Sequence, residues 1–166
     1  MKREITPFAH GSVRLRLIAE ADLESTLAWR NHDESRIWFK TSNLLTLEQH
    51  RAWFHRYQDK DDDFLFVVEV GEKVVGQASV YGIDWANGCA EVGRFLVAPG
   101  ERRKGYISQA CVALIGFCAE NLGLSYLFLE VFEANSRAIR LYQRCGFAEE
   151  SRYDGMIRMG RGLERQ

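Results

Sequence analysis

Eleven residues, Val97-Ala98-Pro99-Gly100-Glu101-Arg102-Arg103-Lys104-Gly105-Tyr106-Ile107, constrain this chain more than any other stretch. A strand-like run from Val92 to Val97 stops at Pro99. A loop of basic residues and glycines follows, and a helical pattern opens near Gly105. Strand, cationic loop and helix start form the layout of a phosphate cradle. Loop amides and the orphan donors of the first helical turn converge on one point, where the helix dipole is positive. Gly105 permits a close backbone approach or a positive φ. Arg102, Arg103 and Lys104 add mobile positive charge. An ordinary strand-to-helix turn with solvated cations reads the same way, so the rest of the chain has to decide.

The length of 166 residues fits a single domain, 1–166. The 22 Lys and Arg against 23 Asp and Glu leave a net charge of -1. That balance argues against a protein-wide grip on nucleic acid or membrane, and no apolar run is long enough to span a bilayer. The cysteines Cys89, Cys111, Cys118 and Cys145 form no CxxC pair and read as reduced core thiols of a cytoplasmic protein. His10, His32, His50 and His55 are scattered without metal-ligand spacing, so no metal is expected.

Met1 to Ser12 reads as a loose lead-in. Val13, Leu15 and Leu17 alternate with arginines, which predicts a strand with one buried face. A helix starting at Glu20-Ala21-Asp22 runs to Asn31-His32. Thr46 and Gln49 form a capping signature for a second helix that carries Trp53, Phe54 and Tyr57. Phe64 to Val70 is nearly all apolar, which predicts a strand covered on both faces. It turns at Gly71-Glu72 into Val74–Tyr81, and Glu91–Val97 follows. The helix after Gly105 gathers Ile107, Ala110, Cys111, Leu114, Ile115 and Cys118 on one face. Tyr126–Phe132 is a strand, Asn135 caps a last helix that Gly146 closes, and Phe147–Met159 is a strand pair turning near Asp154-Gly155.

Three stretches together carry a resemblance. The first is Arg102-x-x-Gly105-x-Ile107 after Val97-Ala98-Pro99. The second is the helix and strand that follow it. The third is Asn135-Ser136-Arg137-Ala138-Ile139-Arg140-Leu141-Tyr142-Gln143-Arg144-Cys145-Gly146-Phe147. The chain resembles the GNAT superfamily of N-acetyltransferases over nearly its full length. The resemblance implies an α/β fold: a mixed, mostly antiparallel sheet of about seven strands, splayed in the middle and flanked by about four helices. It implies acetyl-CoA as donor, with pantetheine against Phe95, Leu96 and Val97 and the pyrophosphate on amides from Arg102 through Arg103, Lys104, Gly105, Tyr106 and Ile107 to Ser108. Ile107 departs from the family pattern, which has Gly or Ala there. A bulky side chain at that position would push the helix start away from the pyrophosphate.

Attack of an amine on a thioester needs a neutral amine, a stabilised oxyanion and a proton for the leaving thiolate. Tyr142 is the general acid that the resemblance implies; a tyrosine of pKa about 10 keeps its proton at neutral pH. A packed core aromatic is the alternative for Tyr142. The backbone N–H of Leu96 is a candidate oxyanion donor. Glu91, on the strand feeding the donor site, is the expected base, with Asp84 and His32 as other candidates. Asn135 serves as helix cap or as a contact to pantetheine.

The N-terminal half is expected to form the acceptor cleft from Trp29, Arg30, Asn31, His32, His50, Trp53 and Trp85. Within the superfamily this pattern resembles the amino-sugar enzymes of the pseudaminic-acid type. That makes a nucleotide-linked amino sugar the expected acceptor, stacked on aromatic faces with arginines at its diphosphate. Trp29, Trp53 and Phe54 fit equally as apolar helix faces. A protein N-terminus, as in the ribosomal-protein N-terminal branch, or a polyamine is the alternative acceptor. A non-catalytic acyl-CoA-binding module is the alternative of another class. A homodimer is compatible with the pattern, but no residue demands one.

Overall fold

The computed structural model describes residues 2–39 and 43–164. Eight strands form one sheet in the order β1-β2-β3-β4-β5-β6-β8-β7. They are β1 Phe8–His10, β2 Val13–Leu17, β3 Asp63–Val70, β4 Lys73–Asp84, β5 Cys89–Val97, β6 Tyr126–Phe132, β7 Ala148–Tyr153 and β8 Met156–Gly162. The helices are α1 Leu23–Asn31, α2 Asp33–Arg36, α3 Leu47–Gln58, α4 Tyr106–Glu120 and α5 Ser136–Arg144, with a 3-10 turn at Glu20–Asp22 before α1. Every pairing is antiparallel except β5 with β6.

β3 shows how the sequence builds the layers. Phe64, Phe66 and Val68 point to the face that α4 covers, in one cluster with Leu114, Phe117 and Cys118. Leu65 and Val67 point to the other face, with Leu23 and Tyr57 from the α1 and α3 side. A strand covered on both faces needs apolar residues at every position, and this run supplies them. Each fully buried Leu or Phe contributes roughly 1.5–3 kcal/mol by leaving water. Thr46 caps α3 as the sequence predicts, its hydroxyl accepting from Gln49 N at 3.1 Å.

The N-terminal lead-in is not loose. Phe8 stacks on Phe117 at 4.4 Å and meets Phe66 edge-on at 5.0 Å, so the segment pairs with β2 as an eighth strand. α2, between Asn31 and the loop to α3, raises the helix count to five.

The centre of the sheet is forked. β5 and β6 pair only over Cys89–Glu91 with Tyr126–Phe128. Beyond that point β5 stays with β4 and β6 stays with β8. A bulge bends β5 away: Ser79 pairs with Gly93, but Gln77 pairs with Leu96, so β5 carries one extra residue. Arg94 takes up that residue with φ 53. A left-handed backbone at a non-glycine costs about 1–2 kcal/mol. The Gln77 side-chain amide on the Arg94 carbonyl, at 3.0 Å, and an Asp63–Arg94 ion pair at 2.8 Å offset it.

Opposite the outer arm of the fork lies Gly76 on β4. A side chain there would put its Cβ 2.5 Å from the Leu96 carbonyl. Gly76→Ala is therefore expected to cost about 1–3 kcal/mol by overpacking. Thermal unfolding should show a Tm lowered by roughly 2–12 °C, and an unchanged Tm would mean that the two strands separate without strain.

Candidate active site

The fork opens into a cavity of about 1010 Å³. One end is the loop that follows β5. Gly100, Arg103 and Gly105 there have φ of 87, 64 and 79, and Gly105 is the residue before α4. No side chain caps the first turn of α4, and that turn holds no acidic residue. Gly105, Tyr106, Ile107 and Ser108 line the cavity. This donor set suits a pyrophosphate: N–H groups at a positive dipole end with no protein acceptor from a capping side chain.

The loop's cations are less mobile than the sequence suggests. Arg102 ion-pairs with Glu34 of α2 and donates to Ser35 Oγ at 2.9 Å. Lys104 donates to Glu101 at 2.9 Å, and Lys73, at the start of β4, pairs with the same carboxylate. These two lysines hold the Glu101 carboxyl below its usual range, Lys73 most strongly. The Cδ1 of Ile107 lies 3.5 Å from where a Cβ on Gly76 would stand, so the side chain turns towards β4, and α4 begins at Tyr106.

At the inner end of the cavity, α5 presents Tyr142. Asn135 caps α5, its side chain accepting from Ala138 N at 3.3 Å, and Asn135 also lines the cavity. Tyr142 packs at 5.7 Å from Phe95 and 6.3 Å from Phe147, with part of its surface on the cavity. Burial pushes its phenol well above the usual value, and the neighbouring Cys111, Tyr81 and Cys145 add to that. Tyr142 thus keeps its proton at neutral pH.

An acetyltransferase (GNAT) domain model matches residues 12–148. The chain belongs to the GNAT acetyltransferase family. Acetyl-CoA is the donor of this family, and the chain is an acyltransferase of the N-acetyltransferase type. It is similar to the spermidine N(1)-acetyltransferase of Vibrio cholerae serotype O1, at 22% identity over 142 residues, covering 85% of this chain and 82% of that protein. A crystal structure of a Vibrio cholerae spermidine N-acetyltransferase in complex with CoA and spermine superposes with a TM-score of 0.85 at 21% identity. It covers 92% of this chain and 96% of that one. Apo FdhC, a nucleotide-linked sugar GNAT, superposes with a TM-score of 0.83 at 16% identity, over 95% of this chain and 90% of that one.

In this GNAT chain the donor residues expected from the sequence come together. Phe95, Leu96, Val97, the run Arg102 to Ser108, Asn135 and Tyr142 all line the cavity, and so does Glu91. The acceptor residues mostly do not. Arg30 reaches the cavity, with its guanidinium 4.0 Å from the Phe39 ring centroid. Trp29 is buried against Leu96 and Ala98. Asn31 bonds both the N–H and the carbonyl of Leu45, at 2.9 and 2.8 Å. His32 caps α2. His50 lies between α1 and α3, its Nε2 3.0 Å from Thr26 Oγ1 and its ring stacked on Trp53. Trp85 sits on the β4–β5 turn under Arg3. Of the other base candidates, His32 is that cap, and Asp84 is held low by bonds from Asn87 at the same turn.

Sequence reasoning missed Tyr81, Arg94 and Glu130, which also line the cavity. Register alone could have found two of them. Tyr81 pairs with Glu91 across the hairpin, and Glu130 lies two residues beyond Phe128, which pairs with Glu91. A period of two puts Glu91 and Glu130 on the same side of the sheet. Among the described residues, no three of His, Cys, Asp and Glu gather to hold a metal ion, and no helix is long and apolar enough to cross a membrane.

The Glu101 clamp has a pH signature. Its folded pKa is depressed, so its stabilisation is present above the ordinary value of 4.5 and is lost as pH falls through the depressed value. Glu101→Gln should lower Tm at neutral pH, and the gap to the wild type should close as pH falls below that ordinary value. A gap that stays constant with pH, measured by scanning fluorimetry, would remove the clamp as its cause.

Proposed function

We propose that this chain acetylates a primary amine of a small cationic acceptor of the polyamine type. Tyr142 acts as general acid and Glu91 as the carboxylate that takes up the amine's proton. The supporting observation is the acceptor side of the fork, where Glu91 and Glu130 share one side of the sheet and both meet the cavity. Carboxylates on a partly desolvated wall attract an ammonium group and can drain its proton. Arg94 lines the same cavity and pairs with Asp63. The likeness to proteins named for spermidine points the same way.

In this reading the donor runs along β5 from Phe95 to Val97, with its far end on the amides after Gly105; that these residues line one cavity supports it. Tyr142 holds its proton where the departing sulfur needs one. The expected cost of losing such a group is about tenfold or more in kcat. Tyr142→Phe should therefore lower kcat by at least about tenfold while acetyl-CoA still binds by calorimetry; unchanged turnover would end its role.

A nucleotide-linked amino sugar is the second reading. Arg30, stacked on Phe39 at the cavity, favours it because a guanidinium can meet a diphosphate. Against it, His50, Trp53 and Trp85, expected to stack on the sugar or base, are engaged elsewhere. A panel of spermidine, spermine, UDP- and dTDP-linked amino sugars and short peptides, scored by CoA release, separates the readings. Turnover of the polyamines alone is the expected result. Turnover of a nucleotide sugar with silent polyamines would reverse the assignment.

A further inference from the structure

Four side chains from three strands form a connected set on the Glu91 side of the sheet, and the proposed reaction uses only the last of them. Asp63 opens β3, with its side chain 3% exposed. Its Oδ1 accepts from Arg94 Nη1 at 2.8 Å, and the same nitrogen donates to Ser79 Oγ at 3.2 Å. The Arg94 guanidinium lies 4.2 Å from the centroid of the Tyr81 ring. The Tyr81 hydroxyl donates to Glu91 Oε2 at 3.0 Å. Gly93 makes the passage: a Cβ there would stand 2.6 Å from the Tyr81 hydroxyl.

We propose that Tyr81 is a positioning residue for Glu91, held in place by Arg94 in its ion pair with the buried Asp63. The inference rests on the reading of Glu91 as the group that takes the amine's proton. A glutamate side chain has several rotamers, and a donor fixed on one carboxylate oxygen selects among them. The donor also favours the ionised carboxylate, which is the form that accepts a proton. Tyr81 stays a donor throughout, because burial and the nearby Glu91 push its own pKa up. The ring cannot tilt freely, since Arg94 packs on it and Asp63 fixes Arg94. Arg94 is also the extra residue of the bulge. The residue that parts the strands therefore also steadies the group beside the opening.

Tyr81→Phe keeps the ring and its contact with Arg94 and removes only the donor. The expected result is kcat lowered about tenfold with the KM for acetyl-CoA within about twofold. The acidic limb of kcat/KM against pH should move up by about one unit, because a carboxylate that loses a donor to its charged form holds its proton more tightly. The charged and titratable groups around Glu91 are Tyr81 from β4, Arg94 from β5, Asp63 from β3, Glu130 from β6 and Tyr142 from α5. Glu91→Gln is therefore measured in parallel to identify the limb. If Glu91→Gln keeps wild-type turnover and the limb, the base reading fails and the inference with it. If Glu91→Gln loses turnover while Tyr81→Phe matches the wild type in kcat and limb, the positioning role alone is overturned. A second variant tests the same contact through space. Gly93→Ala should mimic Tyr81→Phe, and the double variant should lose little more than either single one. Losses that simply add would count against the contact.

Discussion

β5 cannot pair with both of its neighbours along its whole length, and most of what this protein offers a ligand follows from that. The strand pairs with β4 along its length but with β6 only as far as Glu91, and its bulge follows at Arg94. A bulged residue with positive φ carries a backbone cost. Here the cost falls on a residue whose side chain reaches a buried carboxylate and whose carbonyl accepts from Gln77. The bulge falls just beyond the last β5–β6 pair, where the two strands part.

The two halves of the cavity are joined by polar contacts that span long stretches of sequence. Arg102 of the donor loop reaches Glu34 and Ser35 of the segment after α1. Glu101 draws in Lys73 from the start of β4, which carries no part of the family pattern. The cationic loop is therefore substantially neutralised by its own protein. Its attraction for phosphate depends more on oriented amides than on loose side-chain charge.

The donor half was legible in the sequence because it is contiguous. A strand, a loop with glycine and a helix start sit within one short segment, and each has a local physical signal. The acceptor half was not, because α1, α2, β4, β5 and β6 contribute to it separately. Aromatic residues near a site in sequence proved to be structural. His50 and Trp53 stack on each other beside Thr26, where α1 meets α3, and Trp29 is buried against Leu96. Their local pattern is that of any amphipathic helix. The first strand escaped notice for a similar reason. Phe8 finds order only through Phe66 and Phe117, and nothing adjacent to it signals a partner.

β7 and β8 meet at a two-residue turn, Asp154 and Gly155, both with positive φ. A backbone hydrogen bond from Glu133 N to the Gly155 carbonyl, 2.9 Å long, ties its tip to the segment leading into α5. β7 is exposed along its whole length, so nothing packed depends on how far the turn projects. Inserting residues at that tip would lengthen the hairpin beyond Met156, which lines the cavity, and leave the loop from Gly100 to Gly105 as it stands. The height of one wall can therefore drift through the length of a single connection.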